Sequence, residues 1–443
     1  MIRRKFKFFY IALAVIYSWN ELPSFGQSIQ KGFTDSLTLS KVISEVSQNY
    51  PSVKEAEEAL NAADAKIGLA RSGYYPDVSA SASYSRIGPV PSLTFPGLGT
   101  FQFYPADNYS ATVNYRQNIL DFGKTAKSIS LENQNKAIAQ QSLVQVKQKI
   151  SILAINCFYT LLYLQDAISI KDEEIQNLQE HLKFIQKKEA SGSATQFEIL
   201  TTQVKISAVE NQKTDLKTAQ KVQSALMNSL LGQPNDASLT VKNELQSVST
   251  VIPADSLVSF AFRNRDELKI ESEKETLAKL KYETVKSQNN PDLSIFASAG
   301  GKNGYIPNLN TIKANYVAGI SLNVPIFDAN RKKYNLLHVK SSMQSLDFET
   351  ETMRRSITNE VVESEANLSA SQQKIDEFEL QLAHAGKAFS LAQINYKEGT
   401  ITNLDLLDAT TTVAESQLLL LKAKIDYIVS AYKVKAAIGE RLY

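Results

Sequence analysis

Two carboxylates offer the clearest chemistry. Asp405 and Asp408 stand three residues apart in "NYKEGTITNLDLLDATTTV", Asn395 to Val413. That spacing puts both on one face of a helix. Such a pair can attract a cation, and acids in the first turns of a helix also complement its dipole. A similar run, "KKEASGSATQFEILTTQV", spans Lys187 to Val204 and carries Glu198. Each run has a charged helix end, one glycine, small polar residues, then an acid among apolar residues. Other reactive side chains are sparse. Cys157 is the only cysteine, and the three histidines (His181, His338, His384) lie far apart on helical stretches. No disulfide is possible within the chain, and no metal or cofactor site is indicated. Neither a nucleophile–base arrangement nor a phosphate-cradling glycine loop is present, so no catalytic residue is assigned.

Composition narrows the class further. The chain has 443 residues, with 48 Lys and Arg against 46 Asp and Glu. This balance argues against nucleic acid as a partner, which needs a concentrated basic face. Arg3, Arg4, Lys5 and Lys7 precede the short apolar run "FFYIALAVIY", and small residues follow at "PSFGQ". That pattern predicts a secretory signal peptide over 1–26, cleaved near Gly26–Gln27. No later stretch has eighteen consecutive apolar residues, so no transmembrane helix is expected.

The two glycine runs belong to a tandem repeat. Gly399 minus Gly192 is 207, and the same offset pairs Glu198 with Asp405, Gly232 with Gly439, and "ILD" (Ile119–Asp121) with "IFD" (Ile326–Asp328). Pro291 minus Pro76 is 215, so the first copy holds eight extra residues (215 − 207). They fall in the Pro-, Gly- and aromatic-rich loop from Gly88 to Asp107. The expected units are 27–232 and 255–443, joined by a polar segment over 233–254.

Periodicity predicts the same elements in each copy. A half-length helix (Ser36–Gly73 and Asp255–Gln288) leads to a β-hairpin (76–120 and 291–326). A very long helix follows (123–188 and 329–397), then a return helix (196–231 and 404–438). In the first long helix Leu143, Val146, Ile150, Leu153, Cys157, Leu161 and Leu164 make a coiled-coil seam. About 66 residues at ~1.5 Å each give roughly 100 Å. Gly192 and Gly399 suit left-handed helix ends, and Thr195 and Thr402 (or Asn403) can cap the next helix. The hairpins alternate apolar and polar residues over about ten positions, as membrane β-strands or half-exposed soluble strands do. Four strands cannot close a barrel, and lipid forbids an open edge, so spanning strands would require oligomerisation.

A signal peptide, this repeat and the run "YKEGTITNLDLLDATTTV" together resemble the TolC-like outer-membrane efflux proteins over essentially the whole mature chain. The resemblance implies an α+β membrane protein: a tandem-repeat, long α-helical coiled-coil barrel continuous with a trimeric 12-stranded transmembrane β-barrel, four strands per chain. It implies a homotrimer in the outer membrane of a Gram-negative bacterium. Its partners would be outer-membrane lipid, a periplasmic adaptor protein and an inner-membrane transporter of RND or ABC type. Asp405 and Asp408 match acids that ring the closed periplasmic end, where six carboxylates around a narrow bore favour cations and raise one another's pKa. Tyr396 and Glu198 match positions that hold neighbouring coils shut. Gly192 and Gly399 match the turns that dock the adaptor. The family often carries Arg where Ile401 stands, so the lock here is weaker or built from other residues. The implied function is the exit duct of a tripartite efflux system for small molecules or drugs. A type I protein-secretion duct is the alternative on the same fold. A coiled-coil spacer or adhesin would need the helices but not the strands.

Overall fold

The computed structural model describes residues 36–97, 99–243, 253 and 256–443. The expected signal peptide over 1–26 lies outside the described residues, as does most of the second half of the 233–254 segment.

The first copy opens with α1 (Leu39–Asn49) and α2 (Pro51–Ser72). The sequence reading gave one helix over 36–73, and the structure divides it. Pro51 at the first helical position holds Tyr50 extended at ψ 137°. Strands β1 (Asp77–Arg86), β2 (Ser92–Phe95), β3 (Gly99–Gln102) and β4 (Asp107–Leu120) follow, then α3 (Lys124–Ala190) and α4 (Gln196–Leu230). The second copy has α5 (Leu257–Asn264), α6 (Asp266–Ser287), β5 (Asp292–Lys302), β6 (Lys313–Asn323), α7 (Arg331–Glu398) and α8 (Asn403–Ala437). The helix expected over 255–288 is likewise divided, at Arg265 (ψ 128°), where there is no proline. Here a side chain fixes the break. The Arg265 guanidinium grips Glu360 bidentately at 2.8 and 3.0 Å and donates to the Ala436 and Ala437 carbonyls at the end of α8.

β1, β4, β5 and β6 form one antiparallel sheet in that order, leaving β1 and β6 as edges. Its register sorts the side chains. Val78 faces Tyr115, Ala80 faces Val113 and Tyr84 faces Tyr109 on one side. Leu293 faces Leu322 and Ile295 faces Ile320 on the same side. The opposite face is polar and internally bonded: Ser81 to Thr112 (3.1 Å), Asn114 to Ser81 (3.1 Å) and Ser298 to Asn114 (2.9 Å). The apolar face is bare, with Tyr316 86% and Ile320 72% exposed. The Gly88–Asp107 segment, read as a Pro-, Gly- and aromatic-rich loop, contains a second small hairpin, β2 with β3, beyond the main sheet.

The helices make a single layer below the sheet. α3 packs beside α2 and α6 near the strands and beside α4 and α8 further down; α7 packs along α6 and α8. By length and composition alone α3 is apolar enough to cross a membrane, as buried core helices also are. Its apolar stretch instead fills the main core, where Ile155, Phe158, Leu161 and Leu162 meet α1, Met227 of α4 and Ile425 and Ile428 of α8. Leu153, assigned to the seam, is 42% exposed and points out of it. Cys157 is buried here, its thiol pushed up to about 11 by burial. The described start of the joining segment meets this level, Val241 pairing with Leu37.

The strand-to-helix corners show what "ILD" and "IFD" do. Phe122, Ala329 and Asn330 take positive φ there. The Asp121 carboxylate accepts from the Gly123 and Thr125 amides at 2.9 and 2.7 Å, and Asp328 accepts from the Lys332 amide at 3.0 Å. Each aspartate satisfies the free amides that open a 100 Å-class helix.

Candidate functional site

The two helical turns lie side by side at the end of the molecule remote from the sheet. Gly192 and Gly399 close α3 and α7 at φ 76° and 77°, a left-handed conformation glycine adopts without strain. The chain reverses, and Thr195 and Thr402 begin the return helices with matching capping boxes. Thr195 Oγ1 accepts from the Glu198 amide at 3.3 Å, and Glu198 Oε1 accepts from the Thr195 amide at 3.4 Å. Thr402 Oγ1 accepts from the Asp405 amide at 3.3 Å, and Asp405 Oδ2 accepts from the Thr402 amide at 2.8 Å and hydroxyl at 2.7 Å. Thr402 is therefore the cap, and Asn403 is left for another purpose.

That purpose is to bridge the hairpins. Asn403 is 6% exposed. Its Nδ2 donates to Thr202 Oγ1 (3.2 Å), Thr201 Oγ1 (3.3 Å) and the Glu198 carbonyl (3.4 Å), all on α4. Its Oδ1 lies 2.6 Å from His181 Nε2 on α3. Because Nδ2 is the donor, Oδ1 accepts and His181 carries its proton on Nε2. Tyr396, at the end of α7, donates its hydroxyl to Glu198 Oε2 at 2.7 Å. The His181 ring stands edge-on to Tyr396 at 4.9 Å. Lys188 lies over the Phe184 and Tyr396 rings at 5.2 and 5.1 Å. Beneath are Ile185, Ile199 and Leu406, with Ile401 packed against them. Ile401, where the resemblance led to an expected Arg, makes an apolar contact instead.

Environment tunes these groups. Burial, then the bond to Glu198, pushes the Tyr396 hydroxyl up, so it stays a donor. Burial holds His181 below the ordinary histidine value, although its bond to Asn403 and the Glu198 charge oppose this. The Thr402 hydroxyl and backbone hold the Asp405 carboxyl below the usual carboxylate range. Asp405 and Asp408 are both exposed, and among the described residues neither enters an ion pair within the chain. The structure thus brings Tyr396, Glu198 and both turns into one cluster and leaves the two aspartates at its margin. His181 and Asn403 were missed because nothing in a helical wheel marks a polar residue as buried. Asn403, polar among leucines at a helix start, reads first as a cap.

Comparison with known proteins agrees with this architecture. The profile of the family "Outer membrane efflux protein" matches residues 42–233 and 261–440. The chain is 22% identical over 342 residues to the alkaline protease secretion protein AprF of Pseudomonas aeruginosa, covering 75% of this chain and 70% of that protein. It is 26% identical over 121 residues to Escherichia coli TolC, 27% of this chain and 24% of TolC. Among solved structures, the Campylobacter jejuni CmeC outer membrane channel aligns with a TM-score of 0.76 at 15% identity, covering 94% of this chain and 90% of that one. The Vibrio cholerae outer membrane protein VceC aligns at 0.74 and 18%, covering 91% and 97%. These structural likenesses establish the fold of an outer-membrane channel. The chain belongs to the outer membrane efflux protein family. It is an exit duct of the outer membrane that extends into the periplasm, of a family whose channels form trimers and work with adaptor and inner-membrane pump partners.

Proposed function

We propose that three copies close edge to edge, β6 of one on β1 of the next, into a twelve-stranded barrel over a helical tunnel that exports small molecules or drugs. The single observation that carries this is the sheet itself. It has a bare apolar face, a hydrogen-bonded polar face and two unpaired edges. In lipid such a sheet is tolerable only if closed. The polar face then lines the bore.

The tip is the gate. The Tyr396–Glu198 and Asn403–His181 contacts hold hairpin two against hairpin one. Asp405 and Asp408, repeated by threefold symmetry, face the closed bore as a cation-favouring ring. The Gly192 and Gly399 turns present the docking surface for the adaptor, behind which an RND or ABC transporter supplies cargo.

The test is current across a planar bilayer, comparing the protein with Asp405→Ala/Asp408→Ala. A small cation-selective conductance that loses its selectivity in the variant is expected. Selectivity unchanged by the double substitution would remove the aspartates from the gate.

A second reading, the exit duct for a secreted protein, is supported by the similarity to AprF along most of the chain. Export of a reporter protein from cells lacking their own duct, with drug tolerance unrestored, would decide for it.

A further inference from the structure

The junction between sheet and helices carries an unusual charge pattern. The first ten residues of α7, "RKKYNLLHVK", hold four cations and no acid. Cations at a helix start oppose its dipole, so something else must offset them. In the first copy the junction lysines have partners: Lys124 with Asp292, Lys127 with Glu283, and Lys136 with Asp64. Within a single chain, among the described residues, no carboxylate lies within ion-pair distance of Arg331, Lys332, Lys333 or Lys340; Arg331 is the equivalent of Lys124, and the equivalent of its partner Asp292 is Asp77, on the β1 edge. Lys332, Lys333 and Lys340 instead line a groove of about 560 Å³ between α6 and α7, floored by Leu336, Leu337 and Tyr282. Lys340 lies 5.9 Å over the Tyr282 ring. Asp328 also lines the groove, but its Oδ2 already accepts from Asn289 and the Lys332 amide.

Chirality gives the direction in which the groove opens. Asn303 continues the apolar-face alternation of β5 opposite Tyr109, and its N–H donates to the Tyr109 carbonyl at 3.3 Å. On an ascending strand of L-residues, a side chain pointing at the viewer has its N–H and C=O pointing right. Seen from the lipid, β4 is therefore to the right of β5, and α6 to the right of α7. Asn335 faces α6, bonding Gln288 at 3.3 Å. A right-handed helix descending there turns Lys332, Leu336 and Lys340 toward the viewer. A separate groove, lined by His338, Ser342 and Glu349, opens on the opposite side, toward the bore.

We propose that the α6–α7 groove binds the headgroup of an anionic phospholipid from the periplasmic leaflet of the outer membrane. The lysines meet the phosphate, and the acyl chains rise along the apolar face of β6 past Ile320, Leu322 and the exposed Ile326. Ile326 is 96% exposed, at the level where a leaflet would cover it. Both chemical halves of such a lipid are matched: a polybasic patch for the charge and apolar surface directly above. The proposal rests on the membrane placement of the sheet.

The experiment is native mass spectrometry of the detergent-purified assembly with dioleoyl phosphatidylglycerol or dioleoyl phosphatidylcholine. The first should be retained at least about tenfold more tightly, and the preference should fall with salt. Lys332→Gln/Lys333→Gln/Lys340→Gln should abolish the preference, whereas Lys274→Gln/Lys281→Gln on the bore side should not. Equal retention of the two lipids, or a preference that survives the triple substitution, overturns the proposal. So does displacement of the lipid by millimolar inorganic phosphate, which would make this a free-anion site. The triple variant should still conduct in a phosphatidylcholine bilayer. Loss of conduction by the unaltered protein would instead count against the duct reading.

Discussion

The two hairpin tips begin from one design and end differently. Both turn on a left-handed glycine and restart on a threonine capping box. In the second tip the acid is Asp405, and its bonds within the chain all go to its own cap. In the first it is Glu198, one methylene longer. Oε1 stays with Thr195 while Oε2 reaches Tyr396 on the other hairpin. The same offset of 207 pairs buried Asn403 with exposed Gln196, and buried Tyr396 with exposed Glu189. Identical local chemistry thus builds both turns. The contacts between the hairpins come from three departures from the repeat, at the places where one copy touches the other.

The largest effect should come from erasing those departures. Tyr396→Phe with Asn403→Ala removes both polar links, at about 1 kcal/mol for each hydrogen bond lost. A shift of about 2–3 kcal/mol moves a closed–open balance by roughly thirtyfold or more. Single-channel recordings should show a much larger open probability, while Tm falls only a few degrees. Glu198→Asp sharpens the comparison. It turns the first tip into a copy of the second, keeping the cap while withdrawing from Tyr396. Opening should then match Tyr396→Phe alone, without loss of helix content by circular dichroism. An unchanged gate would show that Glu198 acts only as a cap.

Acid should open the gate more modestly. His181 is held below its ordinary value, so its neutral form is favoured in the clasped state. Its stabilising contribution is complete above the ordinary histidine pKa of 6.5 and is lost as pH falls from there through the lower clasped value. Glu198, Lys188 and Tyr396 surround it. Conductance should rise as pH falls below about 6.5, and His181→Gln should flatten that rise. The smallest effects belong to the shared caps. Thr195→Ala and Thr402→Ala should each cost about 1 kcal/mol, read as similar drops in Tm. A much larger loss at one cap would break the equivalence of the turns.

Much of this was legible in the chain itself. A repeat offset, two glycines and a change of period from helical to alternating place the long helices, hairpins and strands, because backbone geometry responds to local pattern. The resemblance drew attention to Tyr396 and Glu198, which the structure brings to hydrogen-bond distance. Less was legible where distant parts meet. The break at Tyr50 is written as Pro51, but the break at Arg265 depends on Glu360 and on carbonyls of α8. "ILD" and "IFD" showed as repeated letters, and their meaning as caps on left-handed corners required coordinates.

The sequence by itself determined the elements, their order, their duplication and the alternating apolar stripe of four strands. All of these follow from propensities and periods acting over a few residues. Only the tertiary structure decided which polar residues are buried and whom they meet. Asn403 and Gln196 occupy equivalent places at the start of equivalent helices. One is exposed and the other is enclosed, because burial depends on the neighbour across the interface, which no local pattern specifies.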